Sequence, residues 1–339
     1  MSFEQRDKRW ARGHLRGIEN LVVPSFSPDL RRLDDAGVRL DVRCSIRHRA
    51  FSTACVLESG LTPDEQRRFI SIACDEAQER IGVSVTLGAA QPAQIVELLA
   101  YAEAAGATHA HLGCPQGFSP SNDSEVVAYV ARIAKATRLP LCLAADRFTF
   151  PNLHPSGLPL EAIDRVADIE RVVALQLDTM DAGLVEEACE RFGERLVISS
   201  PHLGLLPILV RSFGVQWSGP WAIEAVQSPT KRHAIEFFEH LVSGDFSEAM
   251  RRYWGIAPAI GASARVAATF THTGARHLPL IKYQQWLSGG NGGLTRQPVM
   301  RLYQRDMLTV RTGLAAVGVV CDDPDSAYFI GRGGMGKPS

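Results

Sequence analysis

Lysine is scarce in this sequence. Of 36 basic residues only Lys8, Lys135, Lys231, Lys282 and Lys337 are lysines, so an enzyme needing an amine nucleophile has few positions to draw one from. The seven cysteines, Cys44, Cys55, Cys74, Cys114, Cys142, Cys189 and Cys321, are odd in number, scattered and without a C-x-x-C pair. That pattern argues against a disulfide framework and fits a reducing compartment. Neither sign of charge dominates, with 36 basic against 37 acidic residues, so there is no electrostatic footprint for nucleic acid or a membrane surface. No apolar run reaches the length of a membrane span. The opening "MSFEQRDKRWARGHLRG" lacks the apolar core of a secretory signal, and a cytoplasmic location is expected.

What is present is a regular alternation of strand-like and helix-like segments. "LVVPSF" (21–26) reads as a first strand, followed by a helix over 34–48 and by "STACVLES" (52–59). "TPDEQRRFISIACDEAQER" (62–80) is helical. Strand and helix then alternate through 82–90, 92–106, 108–116, 121–137, 139–146, 159–170, 172–178, 182–193, 195–200, 205–214 and 215–220. Runs such as "VVALQL" are apolar on both faces, as strands covered on both sides are. Eight such units joined by right-handed crossovers close into a (β/α)8 TIM barrel of the α/β class. An open doubly wound sheet lacks support, since no glycine-rich phosphate loop follows the first strand. Helical patterns continue after residue 223. The expected organisation is an N-terminal arm (1–16), solvated or packed on a neighbouring subunit, the barrel (17–240), a C-terminal helical extension (241–320) and a loose glycine-rich tail (321–339).

Several segments carry a resemblance. "LRGIENLVVPSFSPDLRRLDDAG", "LTPDEQRR", "AEAAGATHAHLGCPQGFSPSNDSEVVAYVARIAKATRLPL", "HLVSGDFSEAM" and "LIKYQQWLSGGNGGLTRQPVMRL" follow one another as similar pieces do in the dihydrodipicolinate synthase/N-acetylneuraminate lyase family. The resemblance implies a class I aldolase-type barrel, a small-molecule substrate and a homo-oligomer, dimer or tetramer. It also shows where this chain departs from the pattern. The family's Schiff-base lysine falls on Gln176 and the tyrosine of its fifth-strand motif on Ala144, while "CVLESG" stands for its carboxylate-binding Gly-Thr-Thr-Gly-Glu loop. An amide nitrogen is not nucleophilic, so Gln176 cannot form a Schiff base.

Barrel active sites lie at the C-terminal strand ends. Those ends offer Gln176, Asp178, Asp146, His202 and Glu58 as candidate catalytic groups, with His111, Arg147 and Ser200 as candidate substrate contacts. Residues two apart on a strand share a face, so Gln176 and Asp178 are expected at the mouth together. No cofactor is expected. The alternative is a divalent metal on Asp146, Asp178 and His202, polarising a carbonyl without a lysine. His109 and His111, on one strand face, read either as a base or ligand pair or as a polar barrel interior. The long Pro- and aromatic-rich loop 146–160 offers Arg147 and His154 for an anion. Two functions compete: a diverged lyase acting on a small carbonyl or carboxylate substrate without Schiff-base chemistry, and a catalytically silent binding or scaffold homologue.

Overall fold

The computed structural model describes residues 7–88, 91–115, 118–146, 150, 152–154, 156–268, 276–296 and 301–334, with only the backbone at Asp146. A short helix α1 (Lys8–His14) leads into eight strands: β1 (Gly17–Val22), β2 (Ser52–Cys55), β3 (Gly82–Leu87), β4 (His109–Leu112), β5 (Leu141–Asp146), β6 (Val172–Asp178), β7 (Val197–Ser199) and β8 (Trp217–Trp221). They alternate with α2 (Asp35–Arg47), α3 (Pro63–Ala77), α4 (Pro92–Ala105), α5 (Asp123–Lys135), α6 (Leu160–Val166), α7 (Ala182–Phe192), α8 (Leu206–Phe213) and α9 (His233–Ser243). Every pairing is parallel, and β8 closes on β1. The expected (β/α)8 barrel is the observed fold. The helix starts follow local chemistry. Thr62 and Glu65 cap α3 reciprocally with Pro63 in the first turn, and Asn122 and Asp181 cap α5 and α7 through their side chains.

Beyond the barrel run α10 (Phe246–Gly255), α11 (Ala257–Ala267), α12 (Leu278–Leu287), α13 (Gln304–Ala316) and the short α14 (Asp325–Tyr328). No helix among the described residues is long and apolar enough to cross a membrane.

Three expectations need correction. The first strand is Gly17–Val22, several residues earlier than the apolar run 21–26, because Gly17 pairs with Trp217 and Glu19 with Ser52. The segment before it is not a solvated arm. Trp10, Ala11 and Leu15 are buried against Cys142, Val173, Ala174, Val197 and Trp217, so α1 closes the floor of its own barrel. The described part of the tail, through Gly334, is not loose either. Arg332 donates to the carbonyls of Trp286 and Gly290 and pairs with Asp323, while Tyr328 is buried.

The strand register fixes the barrel interior. With the shear of eight typical of this fold, a level path gains one residue in register per strand, which gives layers of four side chains from alternate strands. The observed pairings set Ser52, His109, Ala174 and Trp217 in the lowest layer. Glu19, Ser84, Cys142 and Ser199 form the middle layer, and Ala54, His111, Gln176 and Gly219 the upper one. Branched aliphatics usually fill such layers. Here eleven of the twelve positions, all but Trp217, are polar, small or thiol-bearing or carry His, which concentrates chemistry in the core.

Candidate active site

The centre of that core is a carboxylate between two imidazoles. Glu19 of β1 places Oε1 3.0 Å from His109 Nε2 and Oε2 3.0 Å from His111 Nε2. Ser84 Oγ donates to Glu19 Oε1 at 2.6 Å. All four residues are at most 2% exposed, so each charge must be matched inside the barrel. Trp217 covers the group, with its ring 5.8 Å from that of His111 and 6.5 Å from that of His109.

The hydrogen-bond inventory assigns the protons. Thr108 Oγ1 donates its hydrogen to Val83 O at 3.0 Å, so it accepts from His109 Nδ1, 2.9 Å away. His109 therefore carries a hydrogen on Nδ1, and its Nε2 must carry a second to meet the carboxylate oxygen. The Glu19 carboxylate and the His109 imidazolium form a neutral buried pair. Burial alone would raise the Glu19 carboxyl, but the His111 and His109 rings together hold it well below the usual carboxylate range. His111 then needs a hydrogen on Nε2 only. Burial lowers its pKa from the ordinary 6.5, against the opposing pull of Glu19. Its Nδ1 is buried and has no partner among the described residues. In the same upper layer Gln176, 2% exposed, has an unpartnered Oε1. A carboxylate that fixes one imidazole nitrogen while the other faces an unfilled hydrogen-bonding position is the arrangement of an oriented general base.

Above this layer stand Thr86 and the partly exposed Ala144, and then the rim. There Asp178 Oδ1 lies 2.9 Å from His202 Nε2. Burial opposes ionisation of Asp178, but His202 and Arg276 outweigh it and its pKa is lowered. Arg276, just before α12, also acts electrostatically on both Asp178 and His111, favouring the less positive form of each.

The expected site residues divide accordingly. Gln176 and His111 lie in one layer, and Asp178 and His202 meet at the rim. Asp146 pairs with Asp178 in register, but its side chain and the whole of Arg147 lie outside the described residues. Glu58 is turned onto the strand rim, where its carboxylate accepts from Thr86 Oγ1 and the Gly88 amide. Ser200 is buried, and its Oγ accepts from the His202 amide at 3.3 Å. His154 is exposed and bonded to Ser156. Among the described residues the donor set with metal-ligand spacing is Glu19, His109 and His111, whose ligand atoms lie within 4.8 Å of one another. The expected set of Asp146, Asp178 and His202 includes a side chain outside the described residues. None of the eight strands carries a lysine. Lys282, on α12, is fully buried, with Nζ donating to Val23 O, Ser25 Oγ and Asp41 Oδ2 at 2.9, 2.7 and 2.6 Å.

Comparison with known proteins follows the same outline. Residues 58–205 match the profile of the Dihydrodipicolinate synthetase family. The 4-hydroxy-tetrahydrodipicolinate synthase of Chloroherpeton thalassium is 25% identical over 248 residues, covering 71% of this chain and 78% of that one. The enzyme of the same name from Protochlamydia amoebophila is 22% identical over 197 residues, and the match spans 57% of this chain and 62% of that one. Among solved structures, dihydrodipicolinate synthase from Aquifex aeolicus superposes with a TM-score of 0.75 at 18% identity, covering 91% of this chain and all of that one. N-acetylneuraminate lyase from Fusobacterium nucleatum gives a TM-score of 0.72 at 17% identity, covering 89% and 98%. The class is thus a (β/α)8 barrel with the architecture of these lyases. The sequence matches support a relationship to the dihydrodipicolinate synthase/N-acetylneuraminate lyase family.

Proposed function

We propose that the chain is a divergent member of this family, a lyase-type enzyme acting on a small carbonyl- or carboxylate-bearing substrate without a Schiff base. The observation that carries the reading is His111: Glu19 holds one ring nitrogen, and the other is buried and unpartnered among the described residues, in the layer that also holds the unpartnered Gln176 Oε1. In this reading the substrate enters from the mouth, and Gln176 Oε1 accepts from one of its hydroxyls. His111 Nδ1 takes a proton from it, and Glu19 steadies the imidazolium that forms. Arg276 and the Asp178–His202 pair face the charged end of the substrate.

The test is NMR in D2O with a panel of small 2-keto and hydroxy-2-keto acids, read for loss of C–H signal or for cleavage. The wild type should exchange or cleave at least one compound, and His111→Asn should be slower by about 100-fold or more. A wild type that binds compounds from the panel but transforms none is the silent homologue instead.

A further inference from the structure

We propose that Glu19, His109 and His111 form a binding site for one divalent transition-metal ion, of the zinc, cobalt or iron class, inside the barrel. Both imidazoles aim Nε2 at the same carboxylate from positions two apart on β4, and both contacts are 3.0 Å. Such separations serve a hydrogen bond, and they are also the edge of a coordination polyhedron: ligands ~2.1 Å from one ion stand about 3.0–3.4 Å apart. Two imidazoles with one carboxylate and open positions are a donor set that first-row metals accept, whereas magnesium and calcium prefer oxygen alone.

The outer contacts favour the ion as well. Thr108 accepts from His109 Nδ1 and so turns a Nε2 lone pair inward once the Nε2 proton leaves. Ser84 holds the carboxylate in place. Such supporting bonds orient metal ligands. Three further polar atoms around the cluster are buried and unpartnered: His111 Nδ1, Trp217 Nε1 and Ser52 Oγ. Together they mark an interior whose hydrogen bonding the described residues leave incomplete. Cys142, in the layer of Glu19, brings a thiol to the opposite side of the axis, close enough for the Glu19 charge to act on it.

Loading balances simply. The ion takes the place of the His109 Nε2 proton, which is released to solvent, and the His111 proton moves from Nε2 to Nδ1. One proton leaves per ion bound, and His111 Nδ1 then carries a hydrogen that it lacked before. This site shares residues with the function proposed above, but uptake is read directly, without any activity. The catalytic assay can be run with chelator present, so either proposal can fail alone.

The experiment is calorimetry and elemental analysis of the full chain with zinc chloride, and the visible spectrum with cobalt chloride. Both are done on native protein and on protein refolded with the metal, because the site is buried. One equivalent per chain is expected, with a cobalt d–d spectrum of a four- or five-coordinate ion. Glu19→Gln and His111→Asn should each weaken binding by about 100-fold. Ser84→Ala, which leaves all three ligands in place, keeps the stoichiometry and lowers affinity by about 10-fold. No stoichiometric uptake by either preparation, or uptake unchanged in His109→Asn and His111→Asn, overturns the proposal.

Discussion

Glu19 Oε2 lies 3.0 Å from His111 Nε2, and no described polar group meets the other nitrogen of that ring. The same carboxylate neutralises His109 through Oε1. One buried side chain on β1 thus sets both the charge and the tautomer of two residues on β4, across the barrel interior. Its removal should be felt first as lost stability.

Glu19→Gln keeps the size of the side chain but leaves the His109 imidazolium without a counter-charge in a site that water does not reach. Breaking one partner of a buried pair costs about 3–5 kcal/mol. Ser84→Ala, which removes a single hydroxyl donor, should cost only about 1–2 kcal/mol. Urea unfolding followed by tryptophan fluorescence measures both. Equal costs would mean that His109 is neutral and the proton assignment is wrong.

Gln176 cannot form a covalent adduct, and Lys282 is tied to Asp41, Ser25 and Val23. Borohydride reduction in the presence of pyruvate should therefore leave the intact mass unchanged. Gln176→Lys alone should not create pyruvate-aldolase activity, because Ala144 next to it on β5 offers no hydroxyl to relay a proton. A reduced adduct on wild-type protein would show that an amine other than these reaches the mouth.

The barrel was legible because its strands and helices differ in period and are punctuated locally. Strand 172–178 and the helix from Pro92 fall where the pattern puts them. Glu19 was not legible, for a specific reason. The run "LVVPSF" is more apolar than "GIENLV", and hydrophobicity draws the first strand four residues too late, which leaves Glu19 outside that strand. Pairing with β2 and β8 overrides that preference. His109 and His111 were visible as a pair on one face, but what they face is supplied by a strand 90 residues away. The "GRGG" segment near the end looks like tail composition. Its anchoring depends on Arg332 finding the carbonyls that end α12, a contact no local pattern encodes.

Lys282 and Asp41 test whether the one lysine buried near β1 is structural. Nζ and Oδ2 are 2.6 Å apart, with side-chain exposures of 0% and 2%. Lys282→Met leaves a buried carboxylate unpaired and should cost about 3–5 kcal/mol. Adding Asp41→Leu should recover most of that loss, since the double variant buries no charge. A double variant as unstable as the sum of the two singles would show that the groups act independently.

Glu224 makes stability depend on pH in a direction opposite to most carboxylates. Burial is the main cause that raises its pKa from 4.5 to about 7, and Oε2 has no hydrogen-bond partner. A carboxyl raised in the folded state stabilises the fold fully below its unfolded value, and that contribution is lost as pH rises through the folded one. His48, whose Nε2 lies 3.9 Å from Glu224 Oε1, is driven down by burial to about 3. Its contribution is present above the ordinary 6.5 and fades as pH falls toward 3, so the two partly offset each other in the wild type. Glu224→Gln isolates the carboxyl, because the amide never ionises. The stability of Glu224→Gln relative to wild type should rise by on the order of 3 kcal/mol between pH 4.5 and 8. Guanidinium unfolding at a series of pH values measures it. A difference that stays flat would mean Glu224 is already ionised in the fold at pH 4.5 and has a cation beside it, which would have to be His48 turned to meet Oε2.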